Sequence, residues 1–172
     1  FFITFFAGLL GAYLVLSGWL SARRRVPEHR AFGWSLGMVN AVNCAALLVL
    51  GGIGLSAQGG QIFGFAAGNY LFLAGLSGIA AVGDISIIFR SRVSAPHAIA
   101  RHLWRMLTGF FIAAGSAFTG PGAKAFPEWV QQSGLLSVPE LLIILLMLFY
   151  LIRTLLFRRK GRLAQNPSTS LG

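Results

Sequence analysis

The chain has 172 residues, of which 56% are apolar and only 10% charged, and it carries a formal charge of +10. That composition belongs to integral membrane proteins and not to soluble domains. A nucleic-acid interface, which the basic balance alone could suggest, would gather Lys and Arg on a soluble face with stacking aromatics; here they flank apolar runs that hold the Phe and Trp residues, so no nucleic-acid partner is expected.

A helix needs about 20 mainly apolar residues to cross the hydrocarbon layer. Five segments approach that length, at 1–20, 31–55, 61–89, 102–119 and 138–157. The chain starts at Phe1-Phe2 without a Met, which suggests further residues upstream. The first run does not read as a signal peptide, because Arg23, Arg24 and Arg25 follow its apolar stretch instead of preceding it. The fourth and fifth runs carry Arg105 and Arg153 near their basic ends, where a long side chain can reach the headgroups.

Between the runs, loops alternate in charge. Of the 14 basic residues all but Lys124 fall in or beside the first and third connections or at the end of the fifth run. The positive-inside rule then places the N-terminus outside and the C-terminus in the cytoplasm. The expected fold is an all-α transmembrane bundle of about five helices, forming one domain over 1–160 with a mobile cytoplasmic tail at 161–172. Residues 56–60 read as a Gly/Ser turn. In the longer outer connection, Pro127-Glu128-Trp129-Val130 reads as a short interfacial helix, and Ser137 with Glu140 as a capping box for the last run.

Helices in lipid associate through close packing and polar contacts, so small residues four apart mark contact faces. Gly33 and Gly37, continuing through Asn40 to Cys44, form one such face; Gly64 and Gly68 form a second; Gly109, Ala113 and Ala117 form a third. Asn40 and Asn43 fit interhelical hydrogen bonds better than a ligand site.

Asp84 lies well inside the third run, and an intramembrane acid is by default a candidate functional residue. Arg101 and Arg105, at the start of the fourth run, are its expected partners. His102, Met106 and Gly109 share a face of that helix. His29 and His102 each stand at the start of a different run on the basic side, the placement that haem ligation or a quinone contact would need. A proton or quinone site built from Asp84, His102 and Arg105 is a further reading, and a structural ion-pair cluster tying two helices together is the plainest one. The cofactor is undetermined at this level. Four acidic residues leave no paired carboxylates, and no nucleophile elbow, phosphate loop or zinc-protease histidine spacing is present, so neither a catalytic residue nor a metal site is expected.

His29-Arg30-Ala31-Phe32-Gly33 and Arg101-His102-Leu103-Trp104-Arg105-Met106, with Gly83-Asp84 before the second motif, resemble a family of small bacterial multi-helix membrane proteins without an assigned function. The resemblance covers roughly residues 60–157 and implies a bacterial helical bundle; where that family tends to carry a polar residue after the second motif, this chain has Gly120-Pro121. Taken together, the expected role is a non-catalytic subunit or scaffold of a larger assembly in the bacterial inner membrane, photosynthetic or respiratory complexes being conceivable settings, in contact with lipid and other membrane subunits. A haem- or quinone-binding redox protein and a small transporter or channel are the alternatives.

Overall fold

The computed structural model describes residues 2–22, 30–88 and 95–164, with side chains left undescribed at 30–31, 87–88, 95–96 and 155–164. Long apolar stretches without interior Pro form the helices α1 (Phe2–Ala22), α2 (Arg30–Ser56), α3 (Ala67–Ile88), α4 (Ala95–Ala114) and α6 (Val138–Ala164), with the short α5 (Glu128–Gln132) between the last two. The described residues are therefore all-α apart from one small hairpin, and four segments among them, Phe2–Ala22, Phe32–Ser56, Ala67–Ser86 and Leu135–Thr154, are long and apolar enough to cross a membrane. At 20 residues α4 extends about 30 Å, as far as a span requires. Arg101, His102 and Arg105 around its middle are what separate it from those four.

The order of cross-helix contacts fixes the directions. Along α2 and α3, Asn40 meets Ser77, Cys44 meets Ala74, and Gly54 meets Ala67, an antiparallel run. Gly18 faces Arg105 and Met106 while Gly109 faces Gly11, Leu14 and Val15, so α4 runs against α1. Asp84 with Arg101 and Phe72 with Phe111 set α4 against α3; Thr108 with Met147 and Thr119 with Glu140 set it against α6. The five long helices thus alternate strictly in direction. One end of the bundle holds the start of α1, the hairpin and the start of α6, and the other holds the ends of α1, α3 and α6.

Leu10, Tyr13 and Leu14 of α1, Leu47 of α2, Tyr70, Leu73, Ala74 and Ala80 of α3 and Ile112 of α4 form the buried core. α6 leans on α4 from one side and leaves Leu141, Leu145, Leu148 and Ile152 exposed, and α2 does the same with Trp34, Met38 and Val42.

Several expectations are corrected. The third run does not start as helix: Gln61–Ile62 and Phe65–Ala66 pair as an antiparallel hairpin, and α3 begins at Ala67. Phe63 and Gly64 form its two-residue turn with φ of 51° and 79°, the doubly left-handed geometry that closes tight hairpins. The Phe63 ring stacks on Phe2 of α1 with centroids 4.5 Å apart, a contact available to offset the strain of a left-handed Phe. Gly64 therefore belongs to a turn and not to a packing face, and a Cβ on Gly68 would meet nothing within 4 Å. The same open space surrounds Gly33 and Gly37, so only Asn40 and Cys44 of that stripe meet a neighbouring helix. Gly109 of α4 is packed, but Ala113 and, just past the helix, Ala117 are exposed, because Arg105, Thr108 and Ile112 turn a different side inward. Five residues past Ala114 continue as a π-helical turn, Gly115–Thr119. Glu140 accepts from Thr119 across that junction, tying α6 to α4 where a local cap of α6 had been expected. α6 extends to Ala164.

Candidate functional site

The site lies where α1, α3 and α4 meet toward the basic end. Asp84 sits four residues before the end of α3, one helical turn beyond buried Ala80, which turns its carboxylate toward the bundle interior. Arg101 and Arg105, also four apart, present two guanidiniums from one face of α4. Both Nη2 atoms donate to Asp84 Oδ1, Arg105 at 2.6 Å, and Arg105 Nη2 also donates to the carbonyl oxygen of Ala80 at 3.1 Å. Tyr13 of α1 donates its hydroxyl to the other carboxylate oxygen. Its ring lies under Arg105, whose guanidinium carbon is 5.4 Å from the ring centroid.

Exposure is graded across the cluster. Arg105 is 1% exposed, while the side chains of Arg101 and Asp84 are 21% and 23% exposed. With two guanidiniums on one carboxylate, the cluster holds one positive charge more than it balances. Arg101 Nε, Arg105 Nε and Arg105 Nη1 are buried and have no hydrogen-bond partner among the described residues.

On an adjacent face of α4, His102 Nδ1 lies 2.9 Å from the carbonyl oxygen of Gly18. Gly18 also gives Arg105 and Met106 of α4 a close approach, since a Cβ there would stand 3.3 Å from Arg105 Cβ. The contact fixes the imidazole against α1. His29, the other imidazole considered for haem or quinone, lies outside the described residues, so no pairing of the two is described. Among the described residues no group of His, Cys, Asp and Glu could hold a metal ion.

A second polar contact lies deeper between α2 and α3. Asn40 Nδ2 donates to the Ser77 carbonyl at 3.0 Å, and Ser77 Oγ donates to Asn40 Oδ1 at 2.8 Å. Asn43, one turn along and equally buried, finds no partner for either amide atom among the described residues.

Tyr13 and Ser77 were not among the residues singled out from sequence. Tyr13 carried a signal in retrospect: a phenol in the middle of an otherwise apolar helix has a polar tip that must find a partner. Ser77 offered less, because a serine can return its hydroxyl to its own helix.

The fold and the site define an all-α membrane protein with an ion-paired cluster inside its helical bundle. Comparison with protein-family models, with curated proteins and with solved structures finds no match, so the assignment goes no further than that class.

Proposed function

We propose that the protein is a non-catalytic integral subunit or scaffold of a larger assembly in the bacterial inner membrane, with five spans, the N-terminus outside and the C-terminus in the cytoplasm. The observation that carries this is how the polar and apolar groups are divided. Asp84, an acid available for proton or ion handling within the spans, has its carboxylate engaged by Arg101, Arg105 and Tyr13, which ties three helices together. The extended apolar faces of α2 and α6 are turned outward, where lipid and neighbouring subunits can cover them.

The orientation is supported by charge. The ends of α1, α3 and α6 adjoin Arg23 to Arg25, Arg90, Arg92 and the Arg158 to Arg162 run, whereas Lys124 stands at the opposite end. α4 then crosses despite its arginines because their charge faces α3 and α1 and not lipid.

The test is gentle extraction of the tagged protein from its native membrane, followed by mass analysis of the particle. A stoichiometric second polypeptide that survives purification is expected. A monodisperse 18.4 kDa monomer carrying lipid alone would overturn the reading.

A further inference from the structure

The cluster of Asp84, Arg101 and Arg105 does not balance its own charge. Two guanidiniums share one carboxylate oxygen, and three of their buried nitrogens, Arg101 Nε, Arg105 Nε and Arg105 Nη1, find no acceptor among the described residues. In a low-dielectric setting both deficits are costly, since an unpaired donor loses its hydration and a surplus charge lacks a counterion. Tyr13 does not supply the missing charge, because its hydroxyl donates to Asp84. His102 is turned to Gly18 on the α1 side.

Position indicates where an acceptor could come from. Asp84 is four residues from the end of α3 and Arg101 six from the start of α4, which puts the cluster about 6 to 9 Å below that end of the bundle. An arginine side chain reaches that far toward the headgroups. Arg101 and Asp84 form the accessible edge of the cluster, each about a fifth exposed, and Arg105 is its closed floor.

We propose that Arg101, backed by Arg105, is a subsite for the phosphate of an anionic phospholipid at the basic end of the bundle. The phosphodiester supplies one negative charge and acceptor oxygens suited to a guanidinium fork. Arg101 swings its outer edge to the lipid while Asp84 stays paired with Arg105. The site requires this end of the bundle to lie at the headgroup layer, but it does not depend on any partner subunit.

The charge count gives the test its sign. Arg101→Gln leaves Asp84 and Arg105 as a balanced pair, so this variant should fold yet lose its use for an anion. Wild type, Arg101→Gln and the control Arg153→Gln, which removes a basic residue of α6 at the same end, are placed in bilayers of phosphatidylcholine alone or with added phosphatidylglycerol. Melting midpoints are measured, and the phosphatidylglycerol retained on release from the bilayer is counted by native mass spectrometry. Wild type and Arg153→Gln should melt several degrees higher with phosphatidylglycerol and retain it, and Arg101→Gln should do neither. Equal gains in all three, or none in wild type, would overturn the site, the first outcome meaning diffuse attraction to a basic protein. If inorganic phosphate added to phosphatidylcholine bilayers reproduces the wild-type gain, the lipid assignment fails in favour of the free anion. Should Arg101→Gln not fold, Arg101→Lys serves in its place; keeping the charge but not the fork, it should retain less phosphatidylglycerol than wild type, and equal retention would overturn the guanidinium site.

Discussion

Asp84 concentrates more interhelical bonding than any other side chain described, and its replacement separates charge from shape. Asp84→Asn keeps the volume but leaves Arg101 and Arg105 facing each other without a carboxylate. Breaking a buried pair from one side costs about 3 kcal/mol or more, so the variant should unfold in detergent at a markedly lower temperature. Tyr13→Phe removes a single hydrogen bond and keeps the ring beneath Arg105. Its cost should be about 1 kcal/mol, read in the same melting series; a loss as large as that of Asp84→Asn would show that the phenol, and not the ion pairs, holds the three helices. The sequence brought Asp84, Arg101 and Arg105 into one group because charged residues inside apolar runs must seek one another. It did not lead to Tyr13, since a tyrosine in a membrane helix is equally at home at a lipid interface, and only the packing of α1 against α3 and α4 brings its hydroxyl to the acid on α3.

At the level of elements, glycine spacing was a weak guide, because a small residue permits close approach without requiring it. A Cβ on Gly54 would come within 2.9 Å of Ala67 Cβ and 3.3 Å of Ala67 Cα, atoms that cannot rotate away. Gly54→Ala should therefore push α2 from α3 and destabilise by about 1 to 3 kcal/mol. Gly37→Ala meets open space and should be neutral or stabilising by up to about 1 kcal/mol through helix propensity. Thermal unfolding of the two variants side by side decides this, and a destabilised Gly37→Ala would mean that another molecule packs there. The hairpin at 61–66 was missed for a related reason: Ile62, Phe63 and Phe65 are as apolar as the helix that follows. The turn is carried by local backbone geometry at Phe63 and Gly64, of which only the glycine was visible beforehand. Asn40 was read as an interhelical bonder and donates to Ser77. A double-mutant cycle of Asn40→Ala and Ser77→Ala should return a coupling of about 0.6 kcal/mol, the usual scale for such bonds in membrane bundles.

For the whole molecule, the proposed topology requires α4 to cross the bilayer with the other long helices. Hydropathy alone leaves it out, because Arg101, His102 and Arg105 weigh against the apolar residues beside them. Charge alternation in the loops supports the proposed crossing, and so does direction: α4 and the turn that follows it run antiparallel to α1, α3 and α6, from Arg101 beside Asp84 to Thr119 beside Glu140. The turn at Gln58 and the connection at Gln132 should then face the same compartment. Cys44 is the single cysteine, so on a Cys44→Ser background each position can be labelled alone. With Gln58→Cys and Gln132→Cys, both exposed sites, a membrane-impermeant maleimide should label intact cells at both. If Gln132→Cys reacts only after permeabilisation while Gln58→Cys reacts before it, α4 does not cross. The tail of α6 would then lie outside the cell and the headgroup placement of the arginine cluster would fall with it.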